Sequence, residues 1–171
     1  MEMNFCRRCG TKLTNQHGHI FSCENRHTIF ANSSPSVGIF LVNDKDEVLL
    51  AVRGIEPHKG MLDAFGGFLD GEELAEDAVK RELKEELGLE EFEYSPPKIL
   101  GSGLGRYPYK GETLPLVSIF SWARLQTDRV LTPSDDVAGI RILKIEDINL
   151  SELHDDDIRT GIKLLSHMLT S

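Results

Sequence analysis

Residues 67–89 read GFLDGEELAEDAVKRELKEELGL and decide how the rest of the chain is interpreted. Apolar residues recur there at helical spacing and a glycine follows the last of them, so the stretch predicts a helix over 72–87 that stops at Gly88. On a wheel of about 100° per residue, three carboxylates flank the apolar side and partly enter it: Glu82, Glu85 and Glu86. Like charges on adjacent helical turns repel each other, so the arrangement is unfavourable unless a cation lies among them.

The position of these glutamates distinguishes two interpretations of the helix. A glutamate-rich surface helix should centre its acidic residues opposite the apolar side, and this helix does not. Three ionised carboxylates beside a core need a compensating charge, and oxygen-only ligands suit Mg²⁺ or Mn²⁺. The pattern therefore favours a divalent metal site, with the surface helix as the alternative.

The wider spacing resembles the Nudix box at every fixed position. The fixed positions here are Gly67, Glu73, Arg81-Glu82-Leu83, Glu85-Glu86 and Gly88-Leu89. The resemblance is close across the box, and it extends loosely over the rest of 36–171 through strand order and a C-terminal helix. It implies an α/β fold, the Nudix α/β/α sandwich with a mixed sheet. It also implies metal-dependent hydrolysis of a nucleoside diphosphate linked to another moiety.

The resemblance to Nudix hydrolases also implies roles for single residues. Divalent cations would be bound by the carboxylates of Glu82, Glu85 and Glu86 and the carbonyl of Gly66. Arg81 would orient the glutamates, and Glu73 would pair with it. The catalytic set implied for this chain is therefore Arg81 with the three glutamates.

The general base differs among such enzymes. It is either the glutamate at the position of Glu82 or an acid from a late loop, where this chain has Asp135 and Asp136. Many relatives have glutamate in that loop. The shorter aspartate favours Glu82, with Asp136 as the alternative base.

Three residues outside the box are candidates for substrate contacts. Arg53 ends a predicted strand in a segment that resembles the one before the box in zinc-ribbon-bearing Nudix proteins, which implies a contact with a substrate phosphate; a solvent-exposed strand-end arginine is the alternative. Tyr107 and Tyr109 offer planar surfaces on which a base could stack, unless they are aromatic residues of an edge strand. Related enzymes often complete this pocket across a subunit interface, so the resemblance also implies a homodimer.

All three cysteines lie near the N-terminus, as Cys6, Cys9 and Cys23. Together with His27 they form Cys-x-x-Cys followed by Cys-x-x-x-His, the spacing of a small zinc ribbon. A closed set of four ligands leaves no open coordination position, so the pattern predicts a structural zinc ion. His17 and His19 are rival fourth ligands. Three unpaired thiols with an incidental histidine are the alternative.

The order of ribbon and box resembles the NADH pyrophosphatase group, but one signature is missing. That group carries a Ser-Gln-Pro-Trp-Pro-Phe-Pro array after its box, and residues 101–108 here read GSGLGRYP. The missing array argues against strict NADH specificity. It favours ADP-ribose or a related nucleoside diphosphate sugar, hydrolysed to AMP and a phosphorylated product, with NADH or NAD as the alternative.

Charge and composition bound the remaining possibilities. The formal net charge of −9 argues against broad binding of nucleic acid. The longest apolar stretch, 37–42, is far too short to span a membrane, and the N-terminus does not resemble a secretory signal, so we expect a cytoplasmic enzyme without a membrane partner. The turn-like residues 32–35 predict a boundary between a zinc ribbon, 1–33, and a Nudix domain, 36–171.

The other predicted elements follow from short apolar runs. Strands are expected over 36–42, 47–53, 91–94, 99–103, 116–125 and 139–145. A final helix is expected behind 155–157, whose three aspartates predict a solvated cap. Two other functions remain open: a Nudix module without catalysis that holds RNA or a protein, and an isomerase of isoprenoid diphosphates. The complete box and the lack of a cysteine outside the ribbon disfavour them.

Overall fold

The computed structural model describes residues 4–170 of the 171-residue chain, with only the backbone of Asn15. The chain forms two compact units. One consists of the N-terminal residues through Ser34 together with Arg106–Pro115. The other consists of Pro35–Gly105 and the residues from Leu116 onward. The first unit thus combines the N-terminal residues with a segment from the middle of the chain.

The first unit contains a three-stranded antiparallel sheet in the order β1-β2-β3. Its strands are Leu13–His17 (β1), Ile20–Cys23 (β2) and Thr28–Phe30 (β3). Its buried apolar cluster contains Cys6, Leu13, Cys23 and Ile29, with Phe21 packed against it. So small a core is typical of units that need a metal ion to fold stably.

The larger sheet has six strands in the order β6-β5-β4-β8-β7, and β9 also pairs with β5. The strands are Ser34–Val42 (β4), Glu47–Arg53 (β5), Leu62–Asp63 (β6), Lys98–Tyr109 (β7), Glu112–Arg124 (β8) and Val137–Lys144 (β9). The predicted hairpin of β4 and β5 is confirmed by the pairing of Leu41 with Leu49. Asn43 closes its turn, because its side-chain oxygen accepts from the N–H groups of Lys45 and Glu47.

Two helices cover opposite faces of this sheet: α1 (Ala75–Leu87) and α2 (Asp156–Thr170). Alternate residues of β4 point to opposite faces, so Ile39 packs in one cluster with Leu83 of α1 and Phe40 in another with Ile162 of α2. The layers are those of the predicted α/β/α sandwich. None of the helices in residues 4–170 is long and apolar enough to cross a membrane.

Helix α1 begins three residues later than predicted and ends where predicted. Leu74 is extended at its N-terminus, because Glu73 turns back to accept from the N–H of Asp70 at 3.0 Å. Gly88 ends the helix in the left-handed region, with φ 61, and its N–H bonds back to the last turn.

The predicted strand over 91–94 is wrong. Glu91–Glu93 form a short 3₁₀ helix, closed by reciprocal side-chain bonds of Glu90 and Glu93 to each other's backbone. Glu93 also pairs with Arg129, whose Nε lies 2.6 Å from its carboxylate. This contact spans 36 residues and cannot be inferred from the local apolar pattern.

The prediction that 155–157 form a solvated cap fails for Asp157. Its side chain is only 3% exposed, and it accepts a hydrogen bond from Ser118. Gly103 and Gly105 leave room for it: a Cβ at either position would lie about 3 Å from Asp157 atoms, 3.0 Å and 2.8 Å at the nearest. The carboxylate therefore lies inside the fold because a neighbouring strand has no side chains there.

Candidate metal and hydrolase site

Two consecutive glycines bring the backbone before α1 close to its neighbours. Gly66 has φ 139, and a Cβ on it would lie 2.2 Å from the carbonyl oxygen of Val37 in β4. A Cβ on Gly67 would lie 2.6 Å from Oε1 of Glu82. Any other residue at either position would move the strand or the glutamate. The segment is therefore positioned with its backbone against the carboxylates of α1.

The three box glutamates differ in their surroundings. Glu82 and Glu86 are 7% and 5% exposed, whereas the Glu85 side chain is 48% exposed. Burial raises the pKa of Glu86 to about 9, with the N–H of Gly66 acting against it and the charges of Glu82, Asp63 and Asp135 adding to it. Burial also raises the pKa of Glu82, against the lowering effect of Arg81. The two buried carboxylates therefore have too little positive charge nearby to offset their burial.

Arg81 supplies part of that charge and ties the cluster together. Its Nη1 donates to Glu82 at 2.8 Å and to Glu85 at 3.0 Å, and its Nη2 donates to the carbonyl of Phe68 at 3.1 Å. Nε and Nη2 both donate to Glu73 at 2.9 Å. The hydrogen bonds from Arg81 lower the pKa of Glu73 to about 2. The structure thus has the Glu73–Arg81 pair that the resemblance implies.

The donor set and the charge fit a divalent cation. Glu86 accepts the N–H of Gly66 at 3.0 Å and forms no ion pair with any described residue. Two buried carboxylates and a third at the surface offer only hard oxygen ligands, which suit Mg²⁺ or Mn²⁺. A cation bound among them would offset the burial and the carboxylate repulsion that together raise the pKa of Glu86.

The late loop is fastened to both α1 and β5. The N–H of Ser134 donates to the carbonyl of Glu86 at 2.8 Å, and Gly54 N–H donates to the carbonyl of Asp136 at 2.6 Å. Between these bonds, Asp135 has φ 53, which a residue other than glycine seldom adopts. The charge of Asp135 contributes to the raised pKa of Glu82 and of Glu86. Asp136 instead has its own pKa raised, chiefly by burial.

Arg53 is engaged within the protein. Its Nη1 donates to Asp63 at 2.7 Å and its Nε to the carbonyl of Pro57 at 2.9 Å. Asp63 also contacts Nε2 of His154 at 3.0 Å, and that ring stacks on His58 at 5.7 Å. The sequence analysis did not identify Asp63 or His154. The only local signal of Asp63 was its position as an acid three residues before Gly66.

The predicted zinc ligands lie together. The ligand atoms of Cys6, Cys9, Cys23 and His27 are all within 4.8 Å of one another. Sγ of Cys9 and Sγ of Cys23 are 3.8 Å apart, and Sγ of Cys6 is 3.6 Å from Nδ1 of His27. Tetrahedral zinc with Zn–S bonds of about 2.3 Å requires S–S separations of about 3.8 Å. The four residues therefore fit a zinc ion, and neither His17 nor His19 belongs to the group.

The backbone of the two knuckles explains this convergence. Gly10 has φ 72 and its N–H donates to the carbonyl of Cys6 at 2.8 Å. Arg26 has φ 62, and its backbone N–H donates to the carbonyl of Cys23 at 2.9 Å. Hydrogen bonds from Thr11, and another from Asn25, lower the pKa of Cys9 to about 5, which favours the thiolate that zinc binds.

The two tyrosines belong to the first unit. Tyr107 and Tyr109 stack with their ring centroids 6.5 Å apart, and Nζ of Lys110 lies 5.0 Å from the Tyr109 ring centroid. They lie in the segment Arg106–Pro115, which belongs to the same compact unit as the ribbon. Their role as substrate contacts stays a prediction.

The α/β/α sandwich and the carboxylates of α1 are those expected of a Nudix hydrolase, and comparison with known proteins identifies the family. The NUDIX domain family profile matches residues 32–164. The chain therefore belongs to the Nudix family. A NUDIX hydrolase of Nitrosomonas europaea has the same fold, with a TM-score of 0.67 and 20% identity, over 98% of this chain and 91% of that one. The NUDIX domain of Shewanella oneidensis NrtR, solved with ADP ribose, has a TM-score of 0.63 at 20% identity, over 82% and 90% of the chains.

Curated relatives share part of their length with this chain. It is 38% identical over 87 residues to the human mitochondrial NAD(P)H pyrophosphatase NUDT13, which is 50% of this chain and 24% of that protein. It is 36% identical over 110 residues to the NAD-capped RNA hydrolase NudC of Pseudomonas syringae pv. tomato, 63% of this chain and 38% of that protein. The match thus spans well under half the length of these relatives.

Proposed function

We propose that the protein is a divalent-metal-dependent Nudix pyrophosphohydrolase that acts on an adenosine diphosphate linked to another group, with ADP-ribose preferred. The observation that carries the proposal is the cluster of Glu82, Glu85 and Glu86, two of them buried and short of positive charge. Bound Mg²⁺ or Mn²⁺ would neutralise charge on the diphosphate and lower the pKa of a water. The reaction adds that water to one phosphorus and breaks the P–O–P bridge, giving AMP and a phosphorylated product.

The protein's own residues would hold and orient the reacting groups. Arg81 fixes Glu82 and Glu85 through one guanidinium nitrogen, which limits the positions their oxygens can take. Gly66 holds Glu86 through its N–H. These contacts support Arg81 as a positioning residue and the glutamates, with the Gly66 carbonyl, as the metal ligands. Rigid placement of this kind is what in-line attack on phosphorus needs.

Glu82 is the favoured general base. It is buried beside the other carboxylates, and a bound cation would lower its raised pKa so that it stays ionised. Asp136 was the alternative suggested by the sequence. Electrostatics favour its neighbour Asp135, the other late-loop candidate, because the charge of Asp135 acts on both buried glutamates, while the charge of Arg53 acts on Asp136.

Arg53 is proposed to shape the site as well as to meet a phosphate. Asp63 holds its guanidinium at 2.7 Å, and both side chains are mostly buried, at 13% and 15% exposure. The N–H of Gly60 donates to the Arg53 carbonyl at 2.9 Å, so the arginine also closes the loop over 54–60.

ADP-ribose is preferred over NADH because the Gln-Pro-Trp array of the NADH group is missing from residues 101–108. The ADP-ribose bound by the structurally similar NrtR domain is in keeping with this choice. The names of the curated relatives favour a second candidate, hydrolysis of NADH or NAD, free or as an RNA cap. Both candidates break the same kind of bond, so they differ only in the group beyond the diphosphate.

One activity comparison tests the proposed function. Initial rates are measured on ADP-ribose, NADH, NAD-capped RNA and a nucleoside triphosphate at one Mg²⁺ concentration, with Glu86→Gln as the inactive control. We expect ADP-ribose to be fastest and Glu86→Gln to be inactive on all four. A tenfold preference for NADH, about 1.4 kcal/mol of transition-state discrimination, would select the second candidate. Activity on none of them would favour a Nudix module that binds without catalysis.

The ribbon is proposed to hold one structural zinc ion, and the enzyme to form a homodimer. The four zinc ligands form a closed set without an open position for substrate. The predicted division into a ribbon over 1–33 and a Nudix domain over 36–171 also stays a proposal. Light scattering of the purified protein measures the dimer, and a mass equal to one chain would reject it.

A further inference from the structure

Charge is divided unevenly between the two units. The first unit, residues through Ser34 with Arg106–Pro115, has six lysines and arginines against three acidic residues. The rest of the chain has 13 against 25. The net charge of −9 therefore conceals one basic unit. We propose that this unit, called the basic ribbon, binds single-stranded RNA, an inference that does not depend on the proposed hydrolysis.

The outer face of the ribbon sheet offers hydroxyl groups in a row. Thr14 pairs with Ser22 and Ser22 with Thr28, so the three side chains lie side by side across the strands. Neighbouring positions in the sheet, Leu13, Cys23 and Ile29, point to the buried cluster, which puts this row on the opposite face. Side-chain hydroxyls can donate to and accept from a 2′-OH, the group that distinguishes RNA from DNA.

Aromatic side chains on the basic ribbon are exposed. Phe30, on the same outer face as the row, is 55% exposed and its ring centroid lies 6.1 Å from that of His19. Phe5 is 66% exposed and Tyr109 is 49% exposed. Unpaired bases stack on such rings whatever their sequence.

Exposed cations on the basic ribbon provide the partners for phosphates. Arg7, Arg8, Lys12 and Arg26 are all exposed, and none of them forms an ion pair with a residue in 4–170. Arg7 and Arg8 lie between two zinc ligands, so a folded knuckle fixes their backbone. A charged surface whose cations lack acidic partners attracts a polyanion and releases its counterions.

A second copy of the chain is the other occupant to consider. Two basic ribbons facing each other would bring like charges together, and like-charge juxtaposition across an interface costs free energy. The charge and the chemistry of the face therefore favour a polyanion with planar bases.

The test measures binding of a fluorescein-labelled, uncapped single-stranded RNA of about ten nucleotides to the zinc-loaded full chain, by fluorescence anisotropy. Mg²⁺ is omitted so that a cation at the glutamates of α1 does not contribute to phosphate binding. We expect saturable binding at low salt that weakens as salt rises. Arg7→Ala/Arg8→Ala should lower the slope of log affinity against log salt by about 1.4, or about 0.7 for each phosphate contact. The control Lys45→Ala/Lys163→Ala makes the same charge change outside the basic ribbon and should keep the slope.

Two further variants test the sheet face. Phe30→Ala should weaken RNA binding at least fivefold, whereas Phe92→Ala, which removes an 80% exposed phenylalanine elsewhere, should not. Thr28→Val should weaken binding of RNA more than binding of DNA of the same sequence. Zinc content and circular dichroism verify that each variant is folded.

Several results would overturn the inference. No saturable binding at low salt would remove it, as would equal losses from the Lys45/Lys163 control. Equal affinity for RNA and DNA would contradict the role of the hydroxyl row. A drop in molecular mass on Phe30→Ala, with RNA affinity unchanged, would assign the face to a second copy instead.

Discussion

Arg81 and Glu73 form a two-point ion pair, with Nε and Nη2 of the arginine 2.9 Å from the two carboxylate oxygens of the glutamate. The third guanidinium nitrogen, Nη1, contacts Glu82 and Glu85. Glu73 lies in the turn before α1, so the pair joins that turn to the middle of the helix. The geometry makes Glu73 the support of the residue that positions two of the proposed metal ligands.

Arg81→Lys should therefore impair metal binding and catalysis while the charge is kept. A lysine cannot contact Glu73 at two points and Glu82 at a third, so the ligands lose their orientation. We expect kcat and Mn²⁺ affinity each to fall about 10- to 100-fold, as for other residues that orient metal ligands. Steady-state kinetics and Mn²⁺ titration measure this. Lys84→Gln, at an exposed pair with Glu90, is the control, and equal behaviour of the two variants would contradict the role of Arg81.

The buried carboxylate of Glu86 should destabilise the metal-free protein at neutral and alkaline pH. Its pKa is raised to about 9 in the folded state, against about 4.3 when unfolded, so the stability from its protonated form is lost as pH rises through this range. Glu86→Gln has no proton to lose. We expect the variant to be more stable than wild type at pH 8 by about 1 kcal/mol or more, and the difference to vanish near pH 4.

Urea denaturation without divalent metal measures this difference. A strong chelator is avoided because it would also remove zinc. Glu76→Gln, an exposed glutamate of the same helix, should change stability little at either pH. If wild type were as stable as Glu86→Gln at both pH values, burial would not raise the pKa of Glu86 in the folded protein.

Zinc removal should unfold the ribbon while leaving the larger sheet folded. The ribbon core contains two zinc ligands, Cys6 and Cys23, and few other buried side chains. We expect about one zinc per chain in protein purified without added metal, and loss of that zinc in His27→Ala but not in His19→Ala. Elemental analysis measures both. Protein without zinc whose three thiols titrate freely while folded would reject the site.

The pair of Glu93 and Arg129 predicts a loss of stability in acid. Hydrogen bonds from Arg129 lower the pKa of Glu93 to about 2, so its contribution is present above about pH 4.3 and is lost as pH falls toward 2. Arg129→Ala should flatten this part of the stability profile. Arg159→Ala removes a cation from the exposed pair with Asp156 and should leave it unchanged. Parallel acid profiles for wild type and Arg129→Ala would contradict the assignment.

The sequence was most informative where spacing alone determines position. The box helix, the hairpin of β4 and β5, and the knuckles of the ribbon all depend on residues close in the chain, and each was predicted. Gly10 and Gly88, for example, adopt a positive φ at the turn after Cys9 and at the end of α1. The position of three glutamates on one helix predicted the candidate metal ligands, and their role stays a prediction.

The misses concern contacts between residues far apart in the chain. Asp157 is buried because Ser118 and two glycines of β7 receive it, which no local pattern shows. Residues 91–93 turn instead of extending because Arg129 binds Glu93. Arg53 binds Asp63, which lies ten residues away in the next strand, while its contact with substrate stays a prediction. The sequence shows none of these pairings.

Calorimetric titration of Mg²⁺ into zinc-loaded wild type, Glu86→Gln and Glu76→Gln tests the central claim most directly. Both variants lose one carboxylate from α1, but only Glu86 is buried beside Glu82 and Gly66. The account predicts that wild type and Glu76→Gln bind Mg²⁺ with the same affinity and that Glu86→Gln binds it at least tenfold more weakly. Equal Mg²⁺ affinity in all three proteins would show that the helix is an acidic surface and would contradict the account.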